Sequence, residues 1–277
     1  MRARWTVTQP WLSAAIGCFV LFGFAVGDSA SAADTVEARK LPMTFSWVDC
    51  QPNCRGWISA VGIVTAETPL NFEDFIRQHD LKGDTVVLDS SGGSVNDAIA
   101  LGRRIRGLGL STTVGASLPS SKERGERARV SPEAYCESMC VFLLLAGESR
   151  YVPERARVRV HQIWMADRAD NARGATYTAD DLMILERDIG RLAKFTFDMG
   201  GSGDLLALSL NVPPWVDLHE LSREELRRTN LMTNDAISFA RPNSVLDEMP
   251  LRTGSDRISA TASLGLEPRV TASRPYP

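Results

Sequence analysis

Ser138 stands between two cysteines in Cys136-Glu137-Ser138-Met139-Cys140, just ahead of the apolar run Val141–Ala146. A serine hydroxyl becomes a nucleophile when a base reaches it and when amide dipoles await the oxyanion it creates. The segment Asp89-Ser90-Ser91-Gly92-Gly93-Ser94 offers such amides, because glycines tolerate positive φ and let a substrate backbone come close. With the Met139 amide, Gly92 and Gly93 form a candidate oxyanion hole. His161 closes an alternating apolar run and is the candidate base. The other histidines are less suited: His79 sits on a polar helix end and His219 on a late, edge-like strand. Each feature also has a bland explanation. Ser138 could be a helix cap, Gly92-Gly93 an ordinary turn, and His161 a satisfied structural histidine. Chemistry requires that all three meet.

The elements that would position them alternate between strand and helix. Trp57–Val64 alternates as a strand, and Leu70–Gln78 is a short helix. Thr85–Leu88 is a continuous apolar run of the kind buried on both faces of a sheet. Val95–Leu108 places Ala98, Ile99, Leu101, Gly102, Ile105 and Leu108 on one helical face, and Ser111–Val114 is a strand. Leu118–Pro132 breaks the pattern as a mobile surface insertion. Cys136–Ala146 is apolar nearly all round, which predicts a central helix. Arg157–His161 is a strand. Thr178 can cap a helix running to about Met199, with Leu182, Leu185, Ile189, Leu192 and Phe195 on a stripe. Asp204–Leu210 is a helical turn, Val216–Leu221 a short strand, and Ser222-Arg223-Glu224-Glu225 a capping box that opens a last helix. This order predicts an α/β sheet, with ligands bound beyond the carboxyl ends of strands.

Residues 1–32 have the form of a signal peptide: Arg2 and Arg4, an apolar stretch from Trp11 to Gly27, and Ala30-Ser31-Ala32 for cleavage. The apolar stretch is short for a membrane span. The expectation is export to the periplasm or beyond, the alternative an inner-membrane anchor through an uncleaved segment. Cys18 is followed by further apolar residues, which argues against a lipoprotein. Residues 33–56 look irregular, 57–240 form the domain, and 241–277 lack periodicity and form an expected disordered tail. In an oxidising compartment Cys50, Cys54, Cys136 and Cys140 are disulfide candidates, with connectivity left open and a four-cysteine zinc site as the competing possibility. On a helix, Cys136 and Cys140 would lie within bonding range. A net charge of −3 with both signs interspersed gives no nucleic-acid signature, and Arg103, Arg104 and Arg106 look like a solvated helix face. No cofactor and no metal are implied.

The same residues resemble those of a known family. Val87–Val95 is similar to the glycine turn of the Clp protease proteolytic subunit. Glu137–Leu144 is similar to its nucleophile helix, Arg157–Gln162 to its histidine strand, and Ser222–Leu226 to a helix near its end. The resemblance spans about Trp57 to Thr233, and exported Clp-like proteins share the Cys-x-Ser-x-Cys arrangement. It implies a Clp/crotonase-like fold of repeated β-β-α units around a mixed, largely parallel sheet. It further implies Ser138 as nucleophile, His161 as base, and the Gly92, Gly93 and Met139 amides as oxyanion hole. The substrate would be a peptide or protein, in a possible homo-oligomer. The family's triad aspartate falls at Pro214 here. Asp217 is the nearest replacement, Asp204 a more distant one, and Lys194 could instead form a serine–lysine dyad. A non-catalytic binding or assembly module on the same fold is the alternative function. Acyl-CoA chemistry is ill-suited to an exported protein.

Overall fold

Val86, Val87 and Leu88 are fully buried in the middle of a five-stranded sheet. The architecture comes from a computed structural model that describes residues 38–50, 54–81, 83–121 and 126–236. The expected signal peptide and the tail after residue 240 lie outside the described residues. In chain order the elements are β1 (Thr44–Val48), β2 (Trp57–Val61), α1 (Thr68–Ile76), β3 (Thr85–Asp89), α2 (Val95–Gly107) and β4 (Ser111–Val114). Then come β5 (Ala116–Leu118), β6 (Arg129–Ser131), β7 (Tyr135–Glu137), α3 (Met139–Ala146), β8 (Arg150–Tyr151) and β9 (Arg157–Val160). A 3-10 turn (Ala166–Asn171), α4 (Ala179–Asp198), α5 (Gly203–Leu210), β10 (His219–Glu220) and α6 (Arg223–Arg228) complete the fold.

The main sheet has the order β1-β2-β3-β4-β8, antiparallel only between β1 and β2. A three-stranded sheet, β10-β9-β7, pairs β7 with β9 in parallel and β10 with β9 antiparallel. The protein is therefore α/β with a mixed, largely parallel arrangement of strands. β1 corrects the expectation of an irregular segment before Trp57: Thr44–Val48 pairs residue by residue with β2. The ends of the expected insertion after Leu118 are likewise paired, with Ala116, Ser117 and Leu118 opposite Ser131, Val130 and Arg129.

The α2 face behaves as its spacing predicts, with Ala98, Ile99, Leu101, Gly102 and Ile105 buried. Gly102 lets neighbours close in, since a Cβ there would sit 2.6 Å from the Phe195 ring and 3.2 Å from the Ala146 methyl. Every residue of α3 is buried, which makes it the central helix. Its carboxyl end would leave carbonyls unpaired in the core, a costly arrangement. Two arginines prevent it. Arg106 donates to the Ala146, Leu145 and Gly147 carbonyls at 2.8, 3.1 and 2.8 Å, and Arg150 to Gly147 at 2.8 Å. Burial and the neighbouring Arg106 lower the Arg150 pKa to about 10, which still leaves it charged at neutral pH and suited to the negative end of the helix dipole. Arg106 thus departs from the expected solvated cluster. Arg103 and Arg104 remain on the surface, paired with Asp198 and Glu73.

Both predicted capping motifs form. Thr178 and Asp181 bond reciprocally at the start of α4, and Ser222 and Glu225 at the start of α6. The α4 stripe divides. Leu192 and Phe195 enter the core, whereas Leu182 is 50% exposed. Among the described residues no helix is long and apolar enough to cross a membrane.

Candidate functional site

The expected helix from Cys136 is corrected at its start. Cys136 and Glu137 belong to β7, and α3 begins only at Met139, so Ser138 occupies a sharp strand-to-helix turn. It has φ 55° and ψ −123°, a conformation that costs a non-glycine residue about 1–3 kcal/mol. The reason for the correction is pairing. Tyr135, Cys136 and Glu137 lie beside Arg157, Val158 and Arg159 of β9, and the Ser138 amide continues the ladder to the Arg159 carbonyl at 2.9 Å. An apolar run flanking a strand-to-helix junction carries no period to mark the break. The Ser138 hydroxyl makes no capping bond to α3. It lines a cleft instead, like the exposed nucleophile of a strand–turn–helix elbow.

The four cysteines are bonded within each near pair, Cys50 to Cys54 and Cys136 to Cys140, which removes the four-cysteine zinc alternative. The second bond straddles the elbow. It ties β7 to the first turn of α3 across Cα atoms 5.1 Å apart, with both cysteines fully buried. The two disulfides suit an oxidising compartment.

Parallel pairing of β7 with β9 also brings His161 into the cleft that Ser138 lines. His161 follows β9 directly and shares the cleft with Ser138 and Met139. Its Nδ1 lies 2.6 Å from the Gln162 carbonyl, which can only accept, so Nδ1 carries the proton and Nε2 keeps its lone pair. The ring packs on Trp164 with centroids 4.3 Å apart. Burial pushes the His161 pKa below its ordinary 6.5, against opposing influences from the Gln162 carbonyl and Glu137, so the ring is neutral at pH 7. No hydrogen bond joins Ser138 to His161 among the described residues.

The third triad member does not form as expected. Asp217 is exposed before β10 and forms no hydrogen bond or ion pair with His161 among the described residues; the Gln162 carbonyl takes the Nδ1 position instead. Asp204 pairs with Arg228 at 3.0 Å on the surface. Lys194 is 68% exposed and bound to Asp198 at 2.8 Å, so it is not desolvated, and it does not line the cleft. His79 bonds the Phe75 carbonyl and His219 bonds Glu225, which leaves His161 as the one histidine in the cleft.

The glycine turn presses on the elbow. Gly92 has φ 96°, and a Cβ there would lie 2.7 Å from the Ser138 Cβ. Its amide donates to Ser90 Oγ at 3.1 Å and the residue is buried, which takes it out of the expected oxyanion hole. Gly93 is exposed to the cleft, and among the described residues neither its amide nor that of Met139 has an acceptor. Those two remain the candidate donors. The cleft has a volume of about 470 Å³, with Val95, Ile163, Trp164, Ile184 and Leu185 among its walls. A second cavity of about 10 Å³ also touches Ser138 and His161, but it has room for about one water only. The larger cleft is the place for a ligand.

Arg39 was invisible in the sequence. Its guanidinium donates at 2.6 Å to both Ser91 Oγ and Glu137 Oε2 and lies 4.5 Å above the Tyr135 ring. It therefore straps the glycine turn to the elbow strand. Beside it, the Asp89 carboxyl is 3% exposed and accepts the Tyr135 amide at 3.2 Å. Burial pushes its pKa up to about 6 from 3.8, Glu137 adds to the rise, and the Tyr135 bond and Arg39 oppose it. The folded state then holds this proton more tightly than the unfolded chain. Stability from this group is full below 3.8 and falls as pH rises through 6, by on the order of 3 kcal/mol. Asp89→Asn keeps an acceptor for Tyr135 without the charge. It is expected to raise the thermal midpoint relative to the parent at pH 7 and to lose that advantage at pH 4. An advantage equal at both pH values would refute the assignment.

A comparison with known protein families finds no match for the chain, and a comparison with curated proteins finds none either.

Proposed function

We propose that the protein is an exported serine peptidase of Clp-like architecture, acting through a Ser138–His161 dyad. The observation that carries the reading is the elbow: Ser138 is held at positive φ with its hydroxyl free of capping, in one cleft with a histidine whose Nε2 is unprotonated. Ser138 Oγ attacks the peptide carbonyl as its proton passes to His161 Nε2. The oxyanion is met by the Gly93 and Met139 amides at the amino end of α3, where the helix dipole favours negative charge. His161 returns the proton to the leaving amine, and a water activated by the same Nε2 releases the acyl group. The Gln162 carbonyl orients the ring in place of a triad carboxylate. Catalysis without that carboxylate is slower by orders of magnitude but is not lost.

The test is to incubate the oxidised protein with a mixture of unfolded polypeptides and to sequence the new termini by mass spectrometry. Termini that appear with the parent and are absent with Ser138→Ala support the proposal. No new termini with the parent, or the same termini with Ser138→Ala, would favour a binding module on this fold.

A further inference from the structure

Asp188 is the one formally charged side chain among the described residues lining the cleft. It projects from α4, in line with the apolar Ile184 and Leu185 that form the same wall. Only 14% of its side chain is exposed, yet its polar contacts are long. Asn96 Nδ2 lies 3.4 and 3.5 Å from its two oxygens, Arg191 Nη1 3.5 Å away and Arg187 Nε 3.8 Å away. Arg191 turns mainly to the Asn96 carbonyl oxygen, at 2.8 Å. Both arginines are more than half exposed, so solvent screens what they contribute. A largely buried carboxylate is expensive to keep without close partners. The rest of the α4 side of the cleft, Ile184 and Leu185, is apolar, the kind of surface that would cover the methylene stem of a long side chain.

We infer that Asp188 is a specificity-determining residue which receives the cationic end of a lysine or arginine side chain of the bound peptide. The inference rests on the cleft being the peptide site proposed above. The aliphatic stem would lie along Ile184 and Leu185, and the charged end would supply the short, charge-assisted hydrogen bonds that Asp188 lacks.

Binding can be read without catalysis. Trp164 lines the cleft, so its fluorescence reports occupancy in Ser138→Ala protein titrated with short peptides. Three peptides identical but for one group separate the sources of positive charge: an acetylated peptide with lysine, the same peptide with norleucine, and the norleucine peptide with a free amino terminus. The acetylated lysine peptide is expected to bind about tenfold more tightly than the acetylated norleucine peptide, roughly the value of one partly buried charge pair. Adding Asp188→Asn should bring that ratio to about one, and Asp188→Glu should retain most of it, with thermal midpoints recorded to show that each variant is folded. Equal affinities of the two acetylated peptides, or a lysine preference that survives Asp188→Asn, would overturn the inference. So would a preference for the free amino terminus alone, or no binding of any of the three. Failure of Ser138 chemistry would appear separately, in the terminus-mapping experiment, and would leave these ratios intact.

Discussion

His161→Ala is expected to slow acylation of Ser138 by about a thousandfold, the usual worth of a positioned general base. Asp217→Asn should leave the rate within about twofold, as for an exposed surface substitution. The contrast follows from the ring's hydrogen bond. The Nδ1–H donates a hydrogen bond to the Gln162 carbonyl, a backbone group that no side-chain substitution removes, and Asp217 stands in solvent. The pH profile should follow the same logic. Burial lowers the His161 pKa, so the acid limb of the rate, where the base becomes protonated, should have its midpoint below the ordinary 6.5. An Asp217→Asn loss as large as that of His161→Ala, measured as the acylation rate on purified protein, would mean that the segment before β10 moves to complete a triad.

Removal of the Cys136–Cys140 bond should have the second large effect. The bond closes a loop of only five residues, so loop entropy makes it worth about 2 kcal/mol of global stability. For a domain of this size that is a fall of roughly 4–8 °C in thermal midpoint, and the protein stays folded at room temperature. The local effect is larger. Ser138 holds a strained φ between a strand and a fully buried helix, and the disulfide joins the residues two before and two after it. Without it the turn can relax. Cys136→Ala/Cys140→Ala protein is expected to acylate at least tenfold more slowly at 25 °C, since an angular error of this size removes the nucleophile from its near-attack position. The matched control is Cys50→Ala/Cys54→Ala. That pair sits apart from the elbow, where Cys54 packs with Val48, Trp57 and Val87. An unchanged acylation rate in the first variant, or an equal loss in both, would show that the elbow does not depend on its own disulfide.

The sequence announced the parts whose signal is local. Thr85–Leu88 is a buried central strand because Val86, Val87 and Leu88 are apolar without a polar alternate, and Ser222 and Glu225 cap α6 because the box needs only four residues. Signals that depend on distant partners were silent. Thr44–Val48 becomes a strand by pairing with β2, although Phe45 and Trp47 alternate with Thr44 and Ser46. Arg106 resembles Arg103 and Arg104 until α3 ends against it. Arg39 meets Ser91 and Glu137, residues 52 and 98 positions away, and nothing in its neighbourhood foretells either. The site shows the same division. Ser138, Gly93, Met139 and His161 were legible as types and spacing. The positive φ of a serine, the engagement of the Gly92 amide by Ser90, and a main-chain carbonyl in the place of a carboxylate were not, because side-chain identity does not encode backbone geometry.

Covalent trapping distinguishes a Ser138 nucleophile activated by His161 from a serine without that role. The oxidised protein is treated with a fluorophosphonate and digested, and the adduct is mapped by mass spectrometry. One phosphonyl group is expected on Ser138, lost in Ser138→Ala and strongly reduced in His161→Ala. Folded, oxidised protein that takes up no label, or that carries it on another residue, would show that Ser138 is not an activated nucleophile.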